Sequence, residues 1–190
     1  MLLDDWKPVS RPGAIIALSF YALFLLYAAF DRSGFLFLDF ANLAIHEAGH
    51  RVFGFLADEN QVGFGYTLMV LGGTLLELIV PLACTIYFFF RREIAGTAFC
   101  LFWFFENFPY VGTYMADARM ESLPLAGGGL EHDWEILFTH WNLMLHDQQI
   151  GHSMVILGWL GMLASVLWFA YRALRGSSQA SACGSFLLRK

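Results

Sequence analysis

With 190 residues that are 58% hydrophobic, 17% aromatic and only 14% charged, the chain has the composition of a membrane protein, not of a water-soluble domain. Its net charge of −5 excludes the basic footprint of a nucleic-acid binder. Cys84, Cys100 and Cys183 show no ligand spacing and imply no disulfide framework; Cys84 and Cys100 fall in apolar stretches and read as small buried residues.

In chain order, Met1 to Pro12 is a polar head with Lys7 and Arg11. Ala14 to Phe30 is uncharged and reads as a retained first span. It is long for a signal peptide, and no small-x-small cleavage site follows it cleanly. Phe35 to Ala57 reads as the second span, with Asn42, His46 and His50 forming a polar stripe at four-residue spacing on an apolar helix. Such a stripe belongs toward a bundle interior. Gly49 beside it leaves room for a neighbouring helix or a substrate.

Tyr66 to Phe90 reads as the third span, holding Gly72-Gly73, Glu77 and Pro81. Pro81 is expected to kink the helix and free a carbonyl. Glu77 is either a functional group or a structural partner for Arg51 or Asn42. Ile94 to Ala116 reads as the fourth span. Pro109 and Gly112 predict a bent or unwound helix there, which a membrane tolerates where it lines a cavity.

Arg119 to His132 reads as a loop with Pro124 and Gly127-Gly128-Gly129. Asp133 is either a helix cap or first-turn acid of the next helix, or one of a second cluster of metal-competent ligands. Trp134 to His146 is too short to cross a ~30 Å core comfortably and reads as one amphipathic helix. Its apolar face carries Trp134, Leu137, Phe138, Trp141 and Leu145, and His140 and His146 read as wet surface. Ser153 to Tyr171 reads as the last span.

The expected fold is therefore an all-α integral membrane bundle of about six helices, five full spans plus one short amphipathic helix, with its metal site inside. Residues 1–175 form one membrane-embedded domain and 176–190 a disordered tail. If the short helix also crosses, both termini share a side, with Lys7, Arg11, Arg119, Arg172, Arg175, Arg189 and Lys190 facing Arg32, Arg91 and Arg92 across the bilayer. That balance predicts a multi-pass protein with cytoplasmic termini.

The chemistry is concentrated in His46-Glu47-Ala48-Gly49-His50. Two histidines four apart on a helix share one face and can reach one metal ion, with a glutamate beside them as general base. Ionisable groups in a membrane segment cost on the order of 3 kcal/mol each, so they are rarely idle.

An apolar helix carrying HExxH, then a glycine-containing span, then a span with an Asn-x-Pro break and a later Asp, resembles the site-2 protease superfamily of intramembrane zinc metalloproteases. The resemblance covers roughly residues 35–135. Gly72 to Glu77 falls where that family has a Gly-Pro-x-x-Asn-like segment. Asn107-Phe108-Pro109 followed by Asp117 falls where it carries its third ligand, an Asp. Leu123 to Gly128 is a second match, with Ala126 at the Asp position.

The resemblance implies one zinc per chain, held by His46, His50 and Asp117; Asp133 and then His132, from the second cluster of metal-competent residues, stand as alternative third ligands. Glu47 is the expected general base, and Asn107, nearer the depth of His46 in its span than Asp117, is an expected substrate or oxyanion contact. The implied activity is hydrolysis of a peptide bond within or next to a membrane span, with the lipid bilayer and a membrane-protein or peptide substrate as partners. Two alternatives stand beside it: a zinc-dependent lipid amide or ester hydrolase, and a degenerate non-enzymatic membrane scaffold.

Overall fold

The computed structural model describes residues 6–31, 35–55, 57, 63–123 and 132–187, with side chains described as far as Arg175. The described chain is all-helical: α1 (Arg11–Phe30), α2 (Asp39–Gly54), α3 (Gly63–Phe90), α4 (Ile94–Asp117), α5 (Asp133–His140) and α6 (Asp147–Leu187), with a 3₁₀ turn at Met144–His146 before α6. Three segments are long and apolar enough to cross a membrane: Arg11–Phe30, Gly63–Phe90 and Met144–Arg175. Their outer faces suit lipid. Ile15, Ile16 and Leu23 on α1 and Leu160, Leu163 and Leu167 on α6 are exposed. The expected second span is shorter than foreseen, because the 16 residues of α2 rise only about 24 Å. The 24 residues of α4 are long enough, but Glu106, Asn107 and Asp117 lower its apolarity.

The chain forms two compact units. Unit 1 comprises 1–31, 81–103 and 161–190; unit 2 comprises 32–80 and 104–160. In unit 1, Tyr21 and Phe24 of α1 pack on Phe102 of α4 with ring centroids 5.0 and 5.4 Å apart, and Tyr21 meets Phe169 of α6 at 5.8 Å. The N-terminal segment is tied to the α3–α4 turn. The Lys7 amide donates to the Arg92 carbonyl (2.9 Å), and its ammonium donates to Glu93 Oε1 (2.6 Å). That ammonium holds the exposed Glu93 carboxyl below its ordinary pKa. Lys7 and Arg91-Arg92 thus share one end of unit 1, where the charge grouping had set them on opposite sides. The grouping counted Phe35–Ala57 as a full crossing, whereas α2 is only 16 residues long.

Unit 2 is built on glycine contacts. Gly49 of α2 lies on the backbone of Gly72 in α3, so closely that any β-carbon would collide with the Gly72 carbonyl. Gly112 of α4 faces Gly151 of α6; a β-carbon at Gly112 would lie 2.6 Å from the Gly151 carbonyl. The anticipated break in α4 does not occur. The helix runs through Pro109 to Asp117, and α3 likewise runs through Pro81. Proline at 109 removes the N–H that would have bonded the Phe105 carbonyl. Gly158 of α6 packs there against the proline ring and that carbonyl, so a neighbouring helix fills the defect and no unwinding follows.

α5 docks through Trp134, Leu137 and Phe138, spaced i, i+3, i+4, into a core with Val70, Val111, Met115 and Ala118. The single amphipathic helix expected to reach His146 ends at His140. Asn142 adopts a left-handed conformation (φ 56°), its N–H bonding the Thr139 carbonyl (3.1 Å) and that of Leu143 the Phe138 carbonyl (2.7 Å). This is a Schellman stop with asparagine at the position that tolerates positive φ. Trp141 and Leu145 consequently lie exposed. The backbone of α6 is helical as far as Leu187, into the stretch expected as a disordered tail.

Candidate metal centre

Asp39, Asn42, His46 and Gly49 are the buried residues of α2 and form one stripe along it. His46 and His50 project from successive turns with ring centroids 4.7 Å apart. Both Nε2 atoms converge on one carboxylate oxygen, Asp133 Oδ2, at 2.9 Å from His46 and 3.3 Å from His50. Ligand atoms of His46, His50 and Asp133 all lie within 4.8 Å of one another.

The other nitrogen of each ring is also held. His46 Nδ1 lies 3.2 Å from Glu77 Oε2, and His50 Nδ1 lies 2.9 Å from the Met69 carbonyl. A carbonyl can only accept, so His50 carries a proton on Nδ1; this leaves Nε2 to ligate a metal through its lone pair or, with no metal bound, to donate a second proton to Asp133. The ionised Glu77 carboxylate accepts from His46 Nδ1 in the same way. A carboxylate and a carbonyl behind two imidazoles is the support that metal-ligating histidines use. Without a metal, the same three atoms can share a proton between imidazole and carboxylate. The donor set of two imidazole nitrogens and one carboxylate oxygen, oriented from behind, fits zinc.

Three features place these groups. Gly73 of α3 makes room for the His46 ring; a β-carbon there would sit 2.5 Å from Nε2. Tyr114 of α4 accepts the Asp133 N–H on its hydroxyl (3.2 Å) and stacks on His132 with centroids 4.0 Å apart. His132 is the N-cap of α5, its Nδ1 accepting the Glu135 N–H (3.3 Å). Burial holds the His132 imidazole below its ordinary pKa and favours the neutral ring that this cap requires. Asp133 is thereby the first residue of α5, with its carboxylate turned to the two histidines.

Of the residues singled out in the sequence, His46, His50 and Asp133 are brought together, and Glu47 is half-buried on the same helix. Asp117, the first choice for third ligand, lies elsewhere. Its Oδ1 accepts the Ser122 N–H (3.1 Å) and hydroxyl (2.5 Å), and its Oδ2 accepts the Leu123 N–H (2.9 Å). It closes the turn after α4; only an unwound α4 could have returned it to the histidines. His132 is stacked and capping, with Nε2 3.9 Å from Asp117 Oδ2. Asn107 is fully buried. Glu77 faces His46 instead of Arg51, which is exposed, or Asn42.

Sequence reasoning missed a neighbouring polar group. The Asn42 amide nitrogen donates to Asp39 Oδ1 (3.0 Å) and to Glu106 Oε2 (3.1 Å), and all three residues are buried. Asp39 could have been found, since it extends the Asn42–His46–His50 stripe by one turn. Comparison with protein-family models, curated proteins and solved structures returned no match.

Proposed function

We propose that the chain is an integral membrane zinc metallohydrolase that cuts a peptide bond within or next to a membrane span. The observation that carries this reading is the convergence of His46 Nε2 and His50 Nε2 on Asp133 Oδ2, with Glu77 and the Met69 carbonyl fixing the opposite nitrogens. His46, His50 and Asp133 would hold the metal. When bound, zinc supplies a Lewis acid that polarises a carbonyl and acidifies water. Glu47, one residue from His46 on α2, takes the proton from the attacking water and passes it to the leaving amine. Glu77 holds the His46 tautomer, and Tyr114 holds Asp133 in place. In this reading α2 and α4 also lie within the bilayer, as the resemblance to site-2 proteases implies.

A lipid amide or ester hydrolase would use the same centre. One observation stands on its side: among the described residues there is no strand whose edge could pair with an extended peptide. The test reconstitutes the full chain with zinc and supplies a single-span membrane reporter in parallel with a fluorogenic lipid ester. Glu47→Gln should lower turnover by about 10²–10⁴-fold and leave zinc content unchanged. Cleavage of the reporter supports the protease, and cleavage of the ester alone supports the lipid hydrolase. Undiminished turnover by Glu47→Gln would refute the mechanism.

A further inference from the structure

One end of unit 1 collects Lys7, Arg11, Arg91, Arg92, Arg172 and Arg175, six of the eleven Lys and Arg in the chain. Contacts between side chains and backbone tie them together. Lys7 is bonded to Arg92 and Glu93. Trp6 stacks edge-on with Phe89 and with Trp168, each at 5.3 Å, and Arg172 lies over the Trp6 ring at 5.0 Å. Arg11 begins α1, four residues past Lys7, and Arg175 lies one turn beyond Arg172. Glu93 is the one acidic side chain among the described residues at this end.

Folding alone does not explain this arrangement. The first turn of α1 carries Arg11 and no acid, which opposes the positive end of the helix dipole. Lys7, Arg11, Arg91 and Arg175 are exposed. Immediately inward lie exposed Tyr87, Phe89, Phe90 and Tyr171. Aromatic rings topped by basic side chains match the boundary between acyl chains and headgroups, where the rings sit at the interface and the charges reach outward.

We propose that this basic and aromatic rim of unit 1 binds the phosphate groups of anionic phospholipids and sets that end of the protein on the cytoplasmic side. Charge complementarity selects the occupant, since a negatively charged leaflet attracts Lys and Arg clusters over a short screened range. The helix lengths agree. If α1 and α3 cross and the short α2 does not, the N-terminus and the α3–α4 turn fall on one side, and the charges add there instead of cancelling.

The test uses the full chain reconstituted in phosphatidylcholine and measures, by electron spin resonance, the association of spin-labelled phosphatidylglycerol relative to spin-labelled phosphatidylcholine. The wild type should prefer the anionic lipid by about 2-fold or more, a preference that 1 M salt removes. Arg11→Gln/Arg91→Gln/Arg175→Gln should bring the ratio to about 1 at low salt. No preference in the wild type, or a preference that survives both treatments, would overturn lipid binding. In a cysteine-free background, Ser10→Cys should react with an impermeant maleimide only after bacterial inner-membrane vesicles of right-side-out orientation are opened. Reaction in sealed vesicles would overturn the cytoplasmic assignment.

Discussion

Gly73→Ala asks whether the His46 ring is where the metal needs it. A β-carbon at position 73 would stand 2.5 Å from His46 Nε2 and 2.6 Å from both Cδ2 and Cε1. Ordinary contacts are about 3.5 Å or longer, so the ring must retreat by about 1 Å as a whole. It cannot pivot freely, because Glu77 holds Nδ1 and Asp133 faces Nε2. Metal sites tolerate displacements of roughly 0.2 Å. Zinc affinity should therefore fall on the order of 100-fold, about 2.7 kcal/mol, the upper range for lost support around a ligand. Alanine favours the helix by up to about 1 kcal/mol against about 1–3 kcal/mol for overpacking the ring, so thermal stability should fall by no more than about 3 kcal/mol. The assay is a zinc titration against a chromophoric chelator in detergent, with thermal unfolding alongside. Gly54→Ala is the control, since its β-carbon would meet Met69 Cγ at an ordinary 3.6 Å. Wild-type zinc affinity in Gly73→Ala would refute the role of His46 Nε2.

Other substitutions separate the support from the ligands. Glu77→Ala should weaken zinc binding by about 10–100-fold, and Glu77→Gln, which retains an acceptor for the His46 N–H, by less; equal affinity in all three proteins would show that Glu77 does not position the ring. Tyr114→Phe keeps the stacking on His132 but leaves the Asp133 N–H without its acceptor. It should cost about 1–3 kcal/mol in thermal stability and also weaken zinc binding, and unchanged values for both would contradict the placement of Asp133. Asp117→Ala removes three hydrogen bonds from the turn after α4 and should lower the unfolding temperature with zinc content intact. Zinc loss there, without loss of folding, would restore Asp117 as the ligand.

The parts of the fold that were legible in the sequence rest on local patterns. Long apolar runs gave α1, α3 and most of α6, and the four-residue spacing of His46 and His50 set both rings on one face of α2. What was not legible depended on partners distant in sequence. Pro109 suggests a broken helix only until Gly158 is seen packing against it. With α4 unbroken, Asp117 stays at the end of its helix. Choosing Asp133 requires knowing that Tyr114 takes its N–H and that α5 buries Trp134, Leu137 and Phe138. The stop at Asn142 turns on one left-handed residue, which a hydrophobic pattern does not reveal. Lys7 against Glu93 was hidden for the same reason, because the two residues are 86 apart in the chain.

The most direct measurement is the metal content of detergent-purified protein, by elemental analysis, with His46→Ala, Asp133→Ala and Asp117→Ala prepared in parallel. A metal centre made of His46, His50 and Asp133 predicts about one zinc per chain, lost from the His46 and Asp133 variants and kept by the Asp117 variant. Well-folded wild-type protein that stays metal-free after zinc is added back would contradict it.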